Sequence, residues 1–118
     1  SKKILITSQK GKFSYQQWKI IRAYIHDNLE KSIHLDDLAG LLSMSTFHFL
    51  RLFKSTSGFT PHQYLIRIRL HHAQQLLQNS KLNIEEVAFR TGFSSGPHLT
   101  SAITRFLKLT PSKLRKNS

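Results

Sequence analysis

The 118-residue chain is 39% apolar, enough for one compact core and too little for two ordinary domains. It has no cysteine, which excludes disulfides, thiolate metal sites and thiol nucleophiles; its apolar runs are too short for a membrane span or a secretory signal, so no membrane partner and a cytoplasmic, nucleoid-associated location are expected. Eighteen Lys and Arg against six Asp and Glu leave a net charge of +12, far more than solubility needs, and point to a polyanionic partner.

Residues 1–13 carry four lysines and one short apolar patch, Ile4 to Ile6, and read as a linker or tail. A Ser14-x-x-Gln17 capping box then opens a first helix, in which Trp18, Ile21, Ile25 and Leu29 recur at helical spacing on one face. Ile33-His34-Leu35-Asp36-Asp37-Leu38-Ala39 starts a short second helix, and the same pattern returns 49 residues on as Leu82-Asn83-Ile84-Glu85-Glu86-Val87-Ala88. Its acids lie in first turns, where the helix dipole favours negative charge, and Asn83 with Glu86 forms a capping pair.

A third helix follows Ser45 and ends near Gly58, a residue suited to a left-handed helix end. Thr60-Pro61 is an N-cap followed by proline at the first helical position, and Pro61 to Asn79 has no further breaker. At about 1.5 Å per residue this rod is roughly 28 Å long. Successive major-groove faces on one side of B-DNA are about 34 Å apart, so such a rod suits a reader of two grooves. Phe49, Phe53 and Thr60-Pro61 reappear as Leu99, Ile103 and Thr110-Pro111, now 50 residues on, so one extra residue has entered near Ser94 to Gly96. Each repeat is a short helix, a turn, a second helix and a Thr-Pro helix start.

In the third helix Phe49, Leu52 and Phe53 share a core face, whereas Thr46, Phe47, Leu50 and Arg51 lie toward the other side. A guanidinium among apolar and hydroxyl groups suits a major groove, where Arg pairs with guanine O6 and N7 and apolar groups meet thymine methyls. The alternative, that Phe47 and Leu50 pack on the first helix or the tail, is the commoner fate of such residues. The repeat and the charge pattern favour the groove. Residues 38–84 hold five Lys or Arg and no acid, and residues 87–118 hold six and no acid.

Residues 35–115 resemble the AraC/XylS signature at Leu38-Ala39, Ser45, Phe53-Lys54, Gly58, Thr60-Pro61, Tyr64, Arg69, Ala73, Leu76-Leu77, Ala88, Gly92-Phe93, Thr110-Pro111 and Arg115. The resemblance implies an all-α fold of seven helices, in which two helix-turn-helix subdomains (14–60 and 80–118) are joined by a long connecting helix (61–79). It implies a transcription regulator whose recognition helices enter adjacent major grooves of an asymmetric double-stranded-DNA operator. Base reading in the first unit then falls on Thr46, Phe47, Leu50 and Arg51, and Arg69 is structural. RNA polymerase is an implied partner, and so is a separate effector-binding or dimerisation domain outside these residues.

The second unit departs from the family pattern. Its groove-facing positions are Gly96, Pro97, His98, Thr100 and Ser101, none able to make the arginine–guanine pair. Lys108 stands where Gly58 does, at a cost of about 1 kcal/mol if that backbone is left-handed. Ile103 replaces Phe53 and Leu114 replaces Tyr64. The first unit is expected to carry most base specificity while the second anchors through phosphates. Lys54, Arg105, Lys113 and the helix starts at Thr60 and Thr110 are the phosphate candidates.

No catalytic constellation is present. Adjacent His71 and His72 point about 100 degrees apart on a helix and no His-x-x-x-His pair occurs, so neither a metal nor another cofactor is expected. The competing reading is a nonspecific or architectural nucleic-acid-binding protein, for which the charge alone would suffice.

Overall fold

The computed structural model describes residues 11–116, which form seven helices and no strand. They are α1 (Tyr15–Asp27), α2 (Leu35–Leu41), α3 (Thr46–Ser57), α4 (Pro61–Asn79), α5 (Ile84–Arg90), α6 (Gly96–Ala102), which runs on into a π-helical turn at Ile103–Leu107, and α7 (Pro111–Lys116). The caps follow the sequence signals. The Ser14 hydroxyl accepts the Gln17 N–H at 3.1 Å while the Gln17 amide oxygen accepts the Ser14 N–H at 2.9 Å, and Asn83 with Glu86 closes the same reciprocal box on α5.

The chain packs as two units, residues 11–28 with Ser32–Leu65, and Leu29–Lys31 with residues 66–116, so α4 gives its first turn to one and the rest to the other. The core of the first unit is aromatic. Phe13, Trp18, Phe49, Phe53 and Tyr64 form a cluster of rings with neighbouring centroids 5.3 to 6.3 Å apart, Phe49 and Phe53 fully buried. Burial raises the Tyr64 hydroxyl above its ordinary pKa, with Arg22 acting in the opposite sense.

Phe13 is a difference from the sequence pattern. The expected tail of residues 1–13 lies mostly outside the described residues, but its last residue is a core residue, and the Phe13 N–H donates to Thr56 Oγ1 at 2.9 Å. A single aromatic beside lysines has no periodicity to reveal it.

The core of the second unit is aliphatic. Leu70, Ala73, Leu77, Val87, Ala88, Leu99, Ala102, Ile103 and Leu114 form one buried cluster with Phe93, its one buried ring. Both helix-turn-helix turns pass through a left-handed residue at matching positions, Ser43 at φ 53° and Gly92 at φ 85°. Only the second demands glycine on packing grounds, because a Cβ there would lie 2.6 Å from Arg69 Nε and closer still to the Leu29 carbonyl oxygen.

Gly58 and Lys108 close equivalent helix ends at φ 83° and φ 59°, so the lysine does occupy the left-handed backbone that its position implies. Replacing Lys108 by glycine should therefore raise stability by about 1 kcal/mol. A thermal melt should move up by several degrees, and an unchanged or lower midpoint would show that the strain is absent.

Candidate nucleic-acid interface

Helix α3 begins where the Ser45 hydroxyl accepts the His48 N–H at 3.2 Å and ends where the Gly58 N–H donates to the Lys54 carbonyl at 2.8 Å. Its inner face is Phe49, Leu52 and Phe53, all buried, and this anchoring decides what the other face does. Phe47 is 73% exposed, Leu50 is 37% exposed, and Arg51 and Lys54 are exposed beside them. Both apolar side chains are thus exposed on the face of α3 opposite its anchor. Phe47, Leu50, Arg51, Lys54, Ser55 and Thr60 line an open groove of about 550 Å³ with no acid in it. The structure so brings together three of the four predicted base readers of this unit with two of the predicted phosphate ligands. Thr46 sits half-buried at the start of the same helix.

Helix α6 is shorter and its outward groups are small. Ser95 caps the His98 N–H at 3.2 Å, Leu99 and Ala102 are buried, and Pro97, His98 and Ser101 are exposed. The His98 ring packs on the edge of Phe93 with centroids 5.2 Å apart, and its Nδ1 accepts the Ser94 N–H at 3.3 Å.

Two expected positions differ. Gly96 is buried, not groove-facing, and its N–H donates to Glu85 Oε2 at 3.1 Å. Thr100 is half-buried and lines a separate cleft of about 620 Å³ together with Pro111, Ser112, Lys113 and Lys116, so it is grouped with a phosphate candidate and not with His98. Helical spacing alone cannot tell these apart, because the turn that brings α5 onto α6 and the cleft beside α7 are tertiary features.

The remaining cations divide into structural and exposed. Arg69 is half-buried, with Nε donating to the Leu29 carbonyl at 3.2 Å and Nη2 to the Lys31 carbonyl at 2.9 Å; burial lowers its pKa below the ordinary arginine value. Arg115 does the equivalent work before α5, donating to the Ser80 carbonyl at 2.7 Å and to the Leu82 carbonyl. Each guanidinium pins the loop that leads into a helix-turn-helix. Thr60 and Thr110 cap α4 and α7, accepting the N–H of Gln63 and of Lys113 at 3.2 Å. Arg105 is exposed with its guanidinium 5.4 Å from the centre of the Phe106 ring, and Arg67 lies at the same distance from that ring. Arg67 escaped sequence reasoning, since nothing in its spacing announces Phe106 as a neighbour.

The helix-turn-helix domain family matches residues 38–117, two thirds of the chain. The structure resembles a transcriptional regulator from Chromobacterium violaceum with an AraC-type DNA-binding domain, at TM-score 0.80 and 31% identity over 86% of this chain and 91% of that one. The chain belongs to the AraC family.

This AraC-type domain is also similar to the DNA-binding domain of the global transcriptional factor AdpA, solved in complex with a target DNA, at TM-score 0.78 and 33% identity, covering 84% of this chain and 89% of that one. Among curated relatives it is 39% identical over 90 residues to the transcriptional regulator GlxA of Rhizobium meliloti, which is 76% of this chain and 28% of that protein. The AraC-type domain spans less than half the length of the curated relatives it matches. No helix among its described residues is long and apolar enough to cross a membrane.

Proposed function

We propose that the domain binds an asymmetric DNA operator through two adjacent major-groove segments and so regulates transcription. The observation that carries this reading is the groove on α3, where Phe47, Leu50 and Arg51 stand outward from a firmly anchored helix beside Lys54 and no acid. Leaving a phenylalanine ring in water is unfavourable, and burying it against base edges that carry methyl groups, with the neighbouring guanidinium on guanine acceptors, is favourable. Thr46 completes that reading surface. In the second unit His98 and Ser101, with Thr100 nearer the cleft, supply weaker base contacts.

Lys54, Arg105, Lys113 and the capped starts at Thr60 and Thr110 hold phosphates and fix the register without reading sequence. The helix α4 runs from Pro61 to Asn79 and contributes residues to both units. RNA polymerase is the second partner of this reading, with activation as the outcome, in the nucleoid of the cytoplasm; an effector-binding or dimerisation domain belongs to the same proposal.

Selection of bound duplexes from a random pool tests the function. The expected result is one enriched asymmetric motif, bound about 10³-fold or more tightly than random duplex at physiological salt. Equal affinity for all sequences would instead make the domain an architectural binder, for which its charge suffices.

A further inference from the structure

We infer that Glu85 is a positioning residue for the second recognition helix, holding α6 by its first N–H in the attitude that DNA reading requires. The inference rests on the DNA-reading function proposed above. Glu85 lies in the first turn of α5, and its Oε2 accepts the Gly96 N–H at 3.1 Å across eleven residues, tying the start of one helix of the motif to the start of the other. Gly96 is buried, and a Cβ there would fall 2.7 Å from Glu85 Cδ and nearer to Oε1. Acid and glycine are thus mutually fitted: the bond exists because the side chain is missing. At the matching positions the first unit has the shorter acid Asp36 and the β-branched Thr46.

The chemistry of the outward side chains explains why the second unit needs the tie. Phe47 and Arg51 are long enough to find their partners by rotamer adjustment, whereas Pro97, His98 and Ser101 are short or rigid and reach a groove only if the helix axis is placed for them. The carboxylate also occupies the helix start where an anion would otherwise be attracted. Phosphate is therefore held elsewhere in this unit, and α6 approaches the duplex by its side chains.

Three variants separate hydrogen bond from charge. Glu85→Ala removes both, Glu85→Gln keeps an acceptor and removes the charge, and Gly96→Ala keeps the charge but pushes the carboxylate off, in a residue type that a helix accepts readily. The measured quantity is the ratio of affinities for the selected duplex and for random duplex, alongside a thermal melt. Glu85→Ala and Gly96→Ala should each lower the ratio about fivefold, and Glu85→Gln should stay within about twofold of the parent. All melts should lie within a few degrees of one another. On a duplex trimmed to the segment under α3 all four proteins should bind alike.

A parental ratio in Glu85→Ala, or a Gln variant that falls as far as the Ala variant, overturns the inference. A ratio that falls only in step with a lowered melt also overturns it, since the role would then be structural. A parent that prefers no sequence sinks the DNA-reading function itself and this inference with it.

Discussion

Phe53→Ala should lower the stability of the domain by about 3 to 5 kcal/mol, the cost of a deleted phenyl group plus the cavity left behind. Phe53 is fully buried, and four rings surround it: Trp18 at 5.3 Å, Tyr64 at 5.4 Å, Phe49 at 5.7 Å and Phe13 at 6.3 Å between centroids. Those neighbours come from α1, α3, α4 and the segment before α1, so no single helix can shift to refill the hole. A marginal domain has about 5 to 15 kcal/mol in hand, and a loss of this size consumes much of it. Circular dichroism during heating should show a midpoint lower by well over ten degrees, with DNA binding lost through unfolding. A midpoint at the parental value would mean that the ring cluster does not bear on stability.

The second large effect concerns recognition. Arg51→Ala should weaken binding to the selected site by about 1 to 3 kcal/mol, or about 5- to 150-fold, while binding to random duplex changes much less. The side chain is exposed on α3 between Leu50 and Leu52, of which the first lines the groove and the second is buried in the core, so its removal leaves the helix in place. Titration at fixed salt on both duplexes separates the cases. Equal losses on the two would assign Arg51 to a phosphate.

Much of this architecture is legible in the residues because its signals are local or repeated. Ser14 with Gln17, Asn83 with Glu86, and the two Thr-Pro pairs are caps that act within a single turn, and each forms as its spacing predicts. Leu82 to Ala88 repeats Ile33 to Ala39 because both segments solve the same packing problem. Arg69 came from family resemblance alone; its two carbonyl partners lie about forty residues away. What periodicity cannot decide is the fate of an apolar residue off the main stripe. By spacing alone Phe47 and Leu50 could have packed against a neighbouring helix, and the structure has both exposed on α3. Phe13, Arg67 and the Glu85–Gly96 tie are hidden for a related reason: each depends on a partner brought near by tertiary folding.

The sharing of α4 has a practical corollary for anyone exchanging recognition modules between related regulators. Tyr64 and Leu65 complete one hydrophobic core and Leu70, Ala73 and Leu77 complete the other, all on one unbroken helix. A chimera spliced in the loops on either side of that helix would import half of someone else's interior. The graft point that respects both interiors lies inside the helix, between Leu65 and Ile66, with Leu29–Lys31 exchanged along with the second module and the same helical phase kept by donor and recipient.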